Sequence, residues 1–345
     1  MSDTPLAAIV SKENGQEAIA ALRDEGIYDD SRKLREAGDG ALALPVSAPP
    51  DETEVHEVIR QSDPESRTRG LDDLLAARGW NDEEIARAPK SWAVIGTVIL
   101  ADFEGCPREE EVGEALLSLH GGADTVIARE GISGEHREPS VRVVAGAGDT
   151  ETVHKEHGTK YAMDLARVMF SSGNKRERAR MGEIVEKGER VFDMFAGIGY
   201  FTLPMARAGA HVTAVERNPV AFQYLLENAV LNGVAERIDA YRADCREIET
   251  EADRIVMGYY DASEPRSESE GYEYLDSALR ALRDGGVLHM HEATPEAELW
   301  ERPVSRLREA AANAGREIEL LDRRRVKSHS EGVSHIVIDA RIKRP

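Results

Sequence analysis

The sequence predicts a doubly wound α/β sheet closed by a terminal antiparallel hairpin and preceded by smaller α+β domains. Three observations carry this. From about residue 188, apolar β-type runs alternate with helical stretches. The first of those runs opens into a turn of small residues that leads into a helix. The last two runs, IELLDRRRVKS and HIVIDARI, have no helix between them, so they pair as a hairpin at the sheet edge.

Taken in order, residues 6–46 read as LAAIV (strand), GQEAIAALRDEG (helix ended by Gly26) and ALALPV (strand), giving a small N-terminal α+β domain over 1–48. The charged stretch 49–89, with Pro49, Pro50, Pro64 and Pro89, reads as a linker holding a short helix at DDLLAARG. WAVIGTVILADF, VGEALLSLHGG, DTVIAREG and VRVVAGAG give a strand, helix, strand, strand module, a middle domain over 90–165. The doubly wound domain occupies 166–345. Its strands are RVFDMF, HVTAVE, IDAYRA, RIVMGY, GVLHMH and the closing pair, with helices at about 201–208, 219–232 and 271–283. No internal repeat is evident.

Composition bounds the function. A chain of 345 residues, 41% hydrophobic, exceeds one ordinary domain and buries a sizeable core. It has no membrane-length apolar run and no basic-then-apolar leader, so a cytoplasmic protein without membrane partners is expected. Two cysteines, Cys106 and Cys245, are too few for a disulfide framework or a Cys-rich metal site, and no metal is expected. The formal charge is −21, and only nine of the 44 basic residues are lysine, a composition like that of salt-loving organisms. Acidity ordinarily argues against nucleic acid. In molar salt, where the Debye length is about 3 Å, local basic clusters matter more than the total.

VFDMFAGIGYF places Asp193 at a strand end, then Phe195 and the small residues Ala196, Gly197 and Gly199 before a helix. Such a loop admits close approach of a ligand to the backbone. Neither G-x-G-x-x-G nor G-K-[ST] is present, and an aspartate before the loop repels phosphate, so a pyrophosphate cradle loses ground. Glu216 ends the second strand, where a carboxylate accepts both ribose hydroxyls. Asp244 and Cys245 follow the third, placed for an adenine amine and ring edge. Each acid alone is more often a solvated charge or a cap. Together, at successive strand ends, they look like the signature of the class I S-adenosylmethionine-dependent transferase fold, a Rossmann-like sheet with a terminal β-hairpin. S-adenosylmethionine is then the group donor.

The segment TVHKEHGTKYAMDLARVMFSSGNKRERARM at 152–181, joined to VFDMFAGIGYFTLPMA, resembles the archaeal and eukaryotic family that contains two enzymes of tRNA position 37. One is the guanine-N1 methyltransferase; the other is the aminocarboxypropyltransferase of wyosine and wybutosine synthesis, which acts on 4-demethylwyosine of tRNA(Phe). ISGEHREPSVRVVAGAGDTETVHKEHG is similar to the family's middle domain, and residues 6–46 more faintly to its tRNA-contacting N-terminal domain. The methyltransferase pattern wants Asn-Leu-Pro or Asn-Pro-Pro after the fourth strand. Here DRIVMGYY gives Met257, Gly258 and Tyr259, and FSSGNKRER replaces an FSPR-type segment. Both departures resemble the archaeal aminocarboxypropyltransferases, which implies transfer of the 3-amino-3-carboxypropyl group to C7 of the base with methylthioadenosine leaving.

The alternatives are guanine-37 N1-methylation on the same scaffold and a non-catalytic tRNA-binding protein. The resemblance implies that Ser171 and Arg178 approach the donor, with a two-pronged arginine hydrogen bond to its carboxylate. Gly258 leaves room for the donor's arm. Tyr259, His289, His291 and Glu292 are candidates for removing the ring proton, against the plainer reading of satisfied core residues. Lys175 and Arg176, and Arg325 and Lys327 of RRRVK, are candidates for anticodon-stem phosphates, against the reading of solvated charge runs. A monomer is expected.

Overall fold

The computed structural model describes residues 5–38, 40–67, 70–133, 138–265 and 271–345. Residues 134–137, within the stretch similar to the family's middle domain, lie outside the described residues. The chain divides into two compact units, residues 1–88 and 89–345.

In the first unit, strands β1 (Leu6–Ser11), β2 (Arg35–Glu36), β3 (Ala41–Val46) and β4 (Glu57–Arg60) form an antiparallel sheet of order β2-β3-β1-β4. Helix α1 (Gly15–Asp24) buries Ala18 and Leu22 against Ala8, Val10, Leu44 and Val46. The stretch expected as a linker carries structure. Leu6–Ile9 of β1 pair with β4, and α2 (Leu71–Ala77) and α3 (Asp82–Ala86) follow, the latter held by an Asn81/Glu84 capping box. The prolines flank these elements, where a missing N–H costs no ladder bond.

The second unit opens with β5 (Trp92–Ile95), β6 (Val98–Ala101), α4 (Glu109–Leu119), β7 (Thr125–Ser133) and β8 (Glu138–Gly146). WAVIGTVILADF is therefore two antiparallel strands, turned at Gly96 with φ +58°. A hairpin, β9 (Glu151–Glu156) and β10 (Thr159–Asp164), then docks on the sheet that follows. Asn228 holds the backbone of Ala162 through both its amide groups, at 2.6 and 3.0 Å. Ile95, Val98, Ile127, Tyr161 and Met163 share one apolar core with Val191, Ala206 and Leu225, which is why 89–345 is one unit.

The remaining elements are α5 (Lys175–Ile184), β11 (Arg190–Asp193), α6 (Thr202–Ala208), β12 (His211–Val215), α7 (Pro219–Leu231), β13 (Ile238–Tyr241), β14 (Ala252–Met257), α8 (Glu273–Ala281), β15 (Leu282–Pro295), α9 (Glu301–Asn313), β16 (Glu317–Ser330) and β17 (Val333–Lys343). The sheet order is β13-β12-β11-β14-β15-β17-β16, parallel through β15 and antiparallel thereafter. The terminal hairpin is as the sequence predicts. Helix α9, absent from that reading, precedes it and buries Val304, Leu307, Ala310 and Ala311. Strand order reverses between β11 and β14, so a crevice opens at their carboxyl ends. No described helix is long and apolar enough to cross a membrane.

Candidate active site

That crevice is a cavity of about 370 Å3, within the usual size of small-molecule sites. Of the candidates read from the sequence, Ser171, Arg178, Phe195, Gly197, Glu216, Asp244, Cys245, Gly258 and Tyr259 border it.

The loop after β11 is folded by its carboxylates. Glu216 accepts the N–H groups of Gly197 (2.8 Å) and Asn218 (2.7 Å), tying the ends of β11 and β12 together. Asn218 also caps α7, accepting from Val220 at 2.8 Å, with Pro219 at the first helical position. Gly197 has φ +56°, and a Cβ there would lie 2.5 Å from the Tyr200 ring, so only glycine fits. Asp193 is fully buried and does not border the cavity. It accepts from Thr202 Oγ1 (2.6 Å) and Phe195 N (3.4 Å), and burial raises its carboxyl to about 6. Asp193 therefore braces the loop from behind. Ala196 and Gly199 likewise support the loop without lining the cavity.

At the β13 end, Asp244 takes a fork from Arg246, Nε at 2.9 Å and Nη2 at 2.6 Å, which holds its carboxyl below the usual range. Burial pushes the Cys245 thiol up to about 12, which disfavours the thiolate. Phe195, Tyr259 and Tyr274 pack with ring centroids 5.2–6.3 Å apart, and the Arg246 guanidinium lies 4.8 Å over Tyr274. Tyr274 comes from α8 and carries no sequence signal of its own. Gly258 sits where a Cβ would be 3.2 Å from Phe201, so any side chain there presses on that ring.

Other candidates take different places. Arg178 borders the cavity, but its fork is spent on Glu156 (Nε 2.8 Å, Nη2 2.9 Å) and its Nη1 donates to the Ser171 carbonyl at 2.8 Å. A two-pronged hold on a donor carboxylate is thus not open to it. His289 and Glu292 lie outside the cavity wall and are buried core residues. His289 accepts from Arg254 at 2.6 Å and so donates from Nδ1 to Asp339 at 2.6 Å. Glu292 accepts from Thr294 (2.9 Å), Arg302 (3.0 Å) and Ser263. Both are fixed by partners, which removes them as bases. His291 is also buried, hydrogen-bonded to His335 at 3.0 Å, and burial lowers it to about 3. Tyr260, which the sequence reading passed over, lines the cavity with its hydroxyl 3.4 Å from His335 Nδ1. Of the basic candidates, Lys175 and Arg176 are exposed at the start of α5, Arg325 is exposed and paired with Glu296, and Lys327 Nζ donates to Ser171 Oγ at 2.7 Å. No metal-holding cluster occurs among the described residues.

Residues 152–321 match the TRM5/TYW2 methyltransferase domain, and residues 71–150 match the TYW2 N-terminal domain. A tRNA(Phe) (4-demethylwyosine(37)-C(7)) aminocarboxypropyltransferase of Methanocaldococcus jannaschii is 41% identical, the match covering 72% of this chain and 97% of that protein. The chain belongs to the TRM5/TYW2 family. Among solved TRM5/TYW2 structures, Pyrococcus horikoshii TYW2 in complex with MeSAdo is similar at TM-score 0.67 and 33% identity, over 79% of this chain and 98% of that one. Wild-type Trm5b from Pyrococcus abyssi is similar at TM-score 0.76 and 31% identity, over 98% and 99%.

Proposed function

We propose that this chain transfers the 3-amino-3-carboxypropyl group of S-adenosylmethionine to C7 of 4-demethylwyosine at position 37 of tRNA(Phe), releasing methylthioadenosine. The observation that carries it is the end of β14. Gly258, Tyr259 and Tyr260 open there into the cavity, in place of the asparagine amide that guanine methylation calls for.

The site fits the donor. Glu216, at the end of β12 on the cavity wall, would accept the ribose hydroxyls; Asp244 and Cys245 would meet the adenine; Phe195, Tyr259 and Tyr274 would flank the rings. When bound, the sulfonium supplies a γ-carbon open to displacement. The protein's part is placement and exclusion of water, since well-oriented groups reach effective molarities of about 10⁵–10⁸ M. The ring proton would leave past the Tyr259 and Tyr260 hydroxyls that line the cavity to solvent; burial holds the neighbouring His335 at about 2, so that ring does not take it. Lys175, Arg176 and Arg325 would meet anticodon-stem phosphates, and the protein acts as a soluble cytoplasmic monomer.

Guanine-37 N1-methylation is the second reading, favoured by the match to Trm5b over 98% of this chain. Incubation with S-adenosylmethionine and tRNA(Phe) carrying 4-demethylwyosine separates the two. Methylthioadenosine is the expected product. S-adenosylhomocysteine together with 1-methylguanosine would establish the second reading instead.

A further inference from the structure

Resting on the donor reading above, we infer that Lys327, with Ser171, holds the carboxylate of the donor's amino-acid arm. Lys327 lies in β16 and reaches Ser171 Oγ at 2.7 Å, and Ser171 borders the cavity. Its stem lies against Gly173, where a Cβ would meet Lys327 Cδ at 2.9 Å; glycine at that position makes room for it.

The charge balance around Ser171 is the argument. Two cations converge on this residue, Lys327 on its hydroxyl and Arg178 on its carbonyl. Glu156 neutralises Arg178. Among the described residues no carboxylate pairs with Lys327, although the chain has 65 acidic residues and Lys12, Lys33 and Lys343 each have a glutamate partner. Lys327 is half-buried, and burial, then Arg178 and Arg129, pushes its ammonium pKa down. A half-buried cation without a counter-charge is costly, and a ligand anion removes that cost.

Position along the sheet selects the anion. Asp244 and Glu216, which would take adenine and ribose, follow β13 and β12 at one edge; Gly258 follows β14; Lys327 comes from β16 at the opposite edge. A donor whose nucleoside lies over β12 and β13 extends its arm toward Gly258 and Ser171. Its carboxylate is the anionic group at that end.

Isothermal calorimetry of the full chain and of Lys327→Met tests this with S-adenosylmethionine, decarboxylated S-adenosylmethionine and methylthioadenosine. The substitution should weaken S-adenosylmethionine about ten- to a hundredfold, the range for a hydrogen bond to a charged group. The two ligands without a carboxylate should bind both proteins equally, which also certifies that the variant is folded. Unchanged S-adenosylmethionine affinity with weaker tRNA binding would make Lys327 a phosphate contact and overturn the inference. Equal loss of all three ligands would overturn it in favour of a purely structural role. Failure of the unsubstituted chain to bind either S-adenosylmethionine or methylthioadenosine would refute the donor reading itself, and this inference with it.

Discussion

Asp193, Glu216 and Asp244 stand at the ends of three neighbouring strands, and burial gives each a separate task. Glu216 and Asp244 border the cavity, whereas Asp193 is sealed beneath the loop with a carboxyl raised to about 6 by burial. That value lies above the ordinary 3.9 or so of an unfolded chain. Between about pH 4 and pH 6 the folded chain therefore binds more protons than the unfolded one, and this group subtracts stability as pH rises through the window. Asp193→Asn keeps an acceptor for Thr202 and removes the titration. Urea unfolding of both proteins across that window should show the wild type losing up to about 3 kcal/mol relative to the variant as pH rises, with no further change above pH 7. A constant difference from pH 4 to 7 would contradict the burial argument.

At the scale of elements, the terminal hairpin is locked to α5 by buried charge. Arg324 of β16 donates to Glu177 of α5 (2.9 Å) and to Asp339 of β17 (2.8 Å), and both carboxylates are almost fully buried. Asp339 is further held by His289 and Arg180. Burial alone would raise Asp339, but the hydrogen bonds of His289 and Arg324 keep it well below its ordinary value. Removing one partner of such a network strands the others. Arg324→Met is expected to destabilise the protein by about 3 kcal/mol, seen as a lowered melting temperature. A change under about 0.5 kcal/mol would mean that Arg180 alone suffices. The network explains why His289 is structural: on an apolar strand, its two ring nitrogens meet an arginine and an aspartate that lie 35 and 50 residues away.

For the whole molecule, the two compact units frame a proposal about division of labour. Every residue that borders the cavity falls between Val168 and Tyr274, inside the second unit. We propose that residues 1–48, within the first unit, serve tRNA contact and that 89–345 carry the transfer site. A truncated chain of residues 89–345 should keep S-adenosylmethionine affinity within about twofold by calorimetry and lose tRNA affinity in a filter-binding assay. Undiminished tRNA affinity would remove the proposed role. The net charge of −21 sets the conditions for such assays, because self-repulsion and phosphate repulsion are both relieved by salt.

Much of this was legible in the sequence because it is local. Strand and helix periods, the small residues after Asp193, and carboxylates at fixed offsets from strand ends all follow from a few consecutive residues. So did the choice of Glu216, Asp244 and Cys245, which line one cavity with Gly258, a residue singled out by the family resemblance. What the sequence could not settle depends on pairings between residues far apart in the chain. Glu156 claims the fork of Arg178, Arg254 and Asp339 claim His289, Arg302 claims Glu292, and Lys327 crosses from the last hairpin to Ser171. A charged side chain is a ligand or a structural tie according to whether a counter-charge meets it in the folded state. Only the tertiary structure decides that, because the partners lie 10 to 156 residues apart and are brought together by packing and not by spacing.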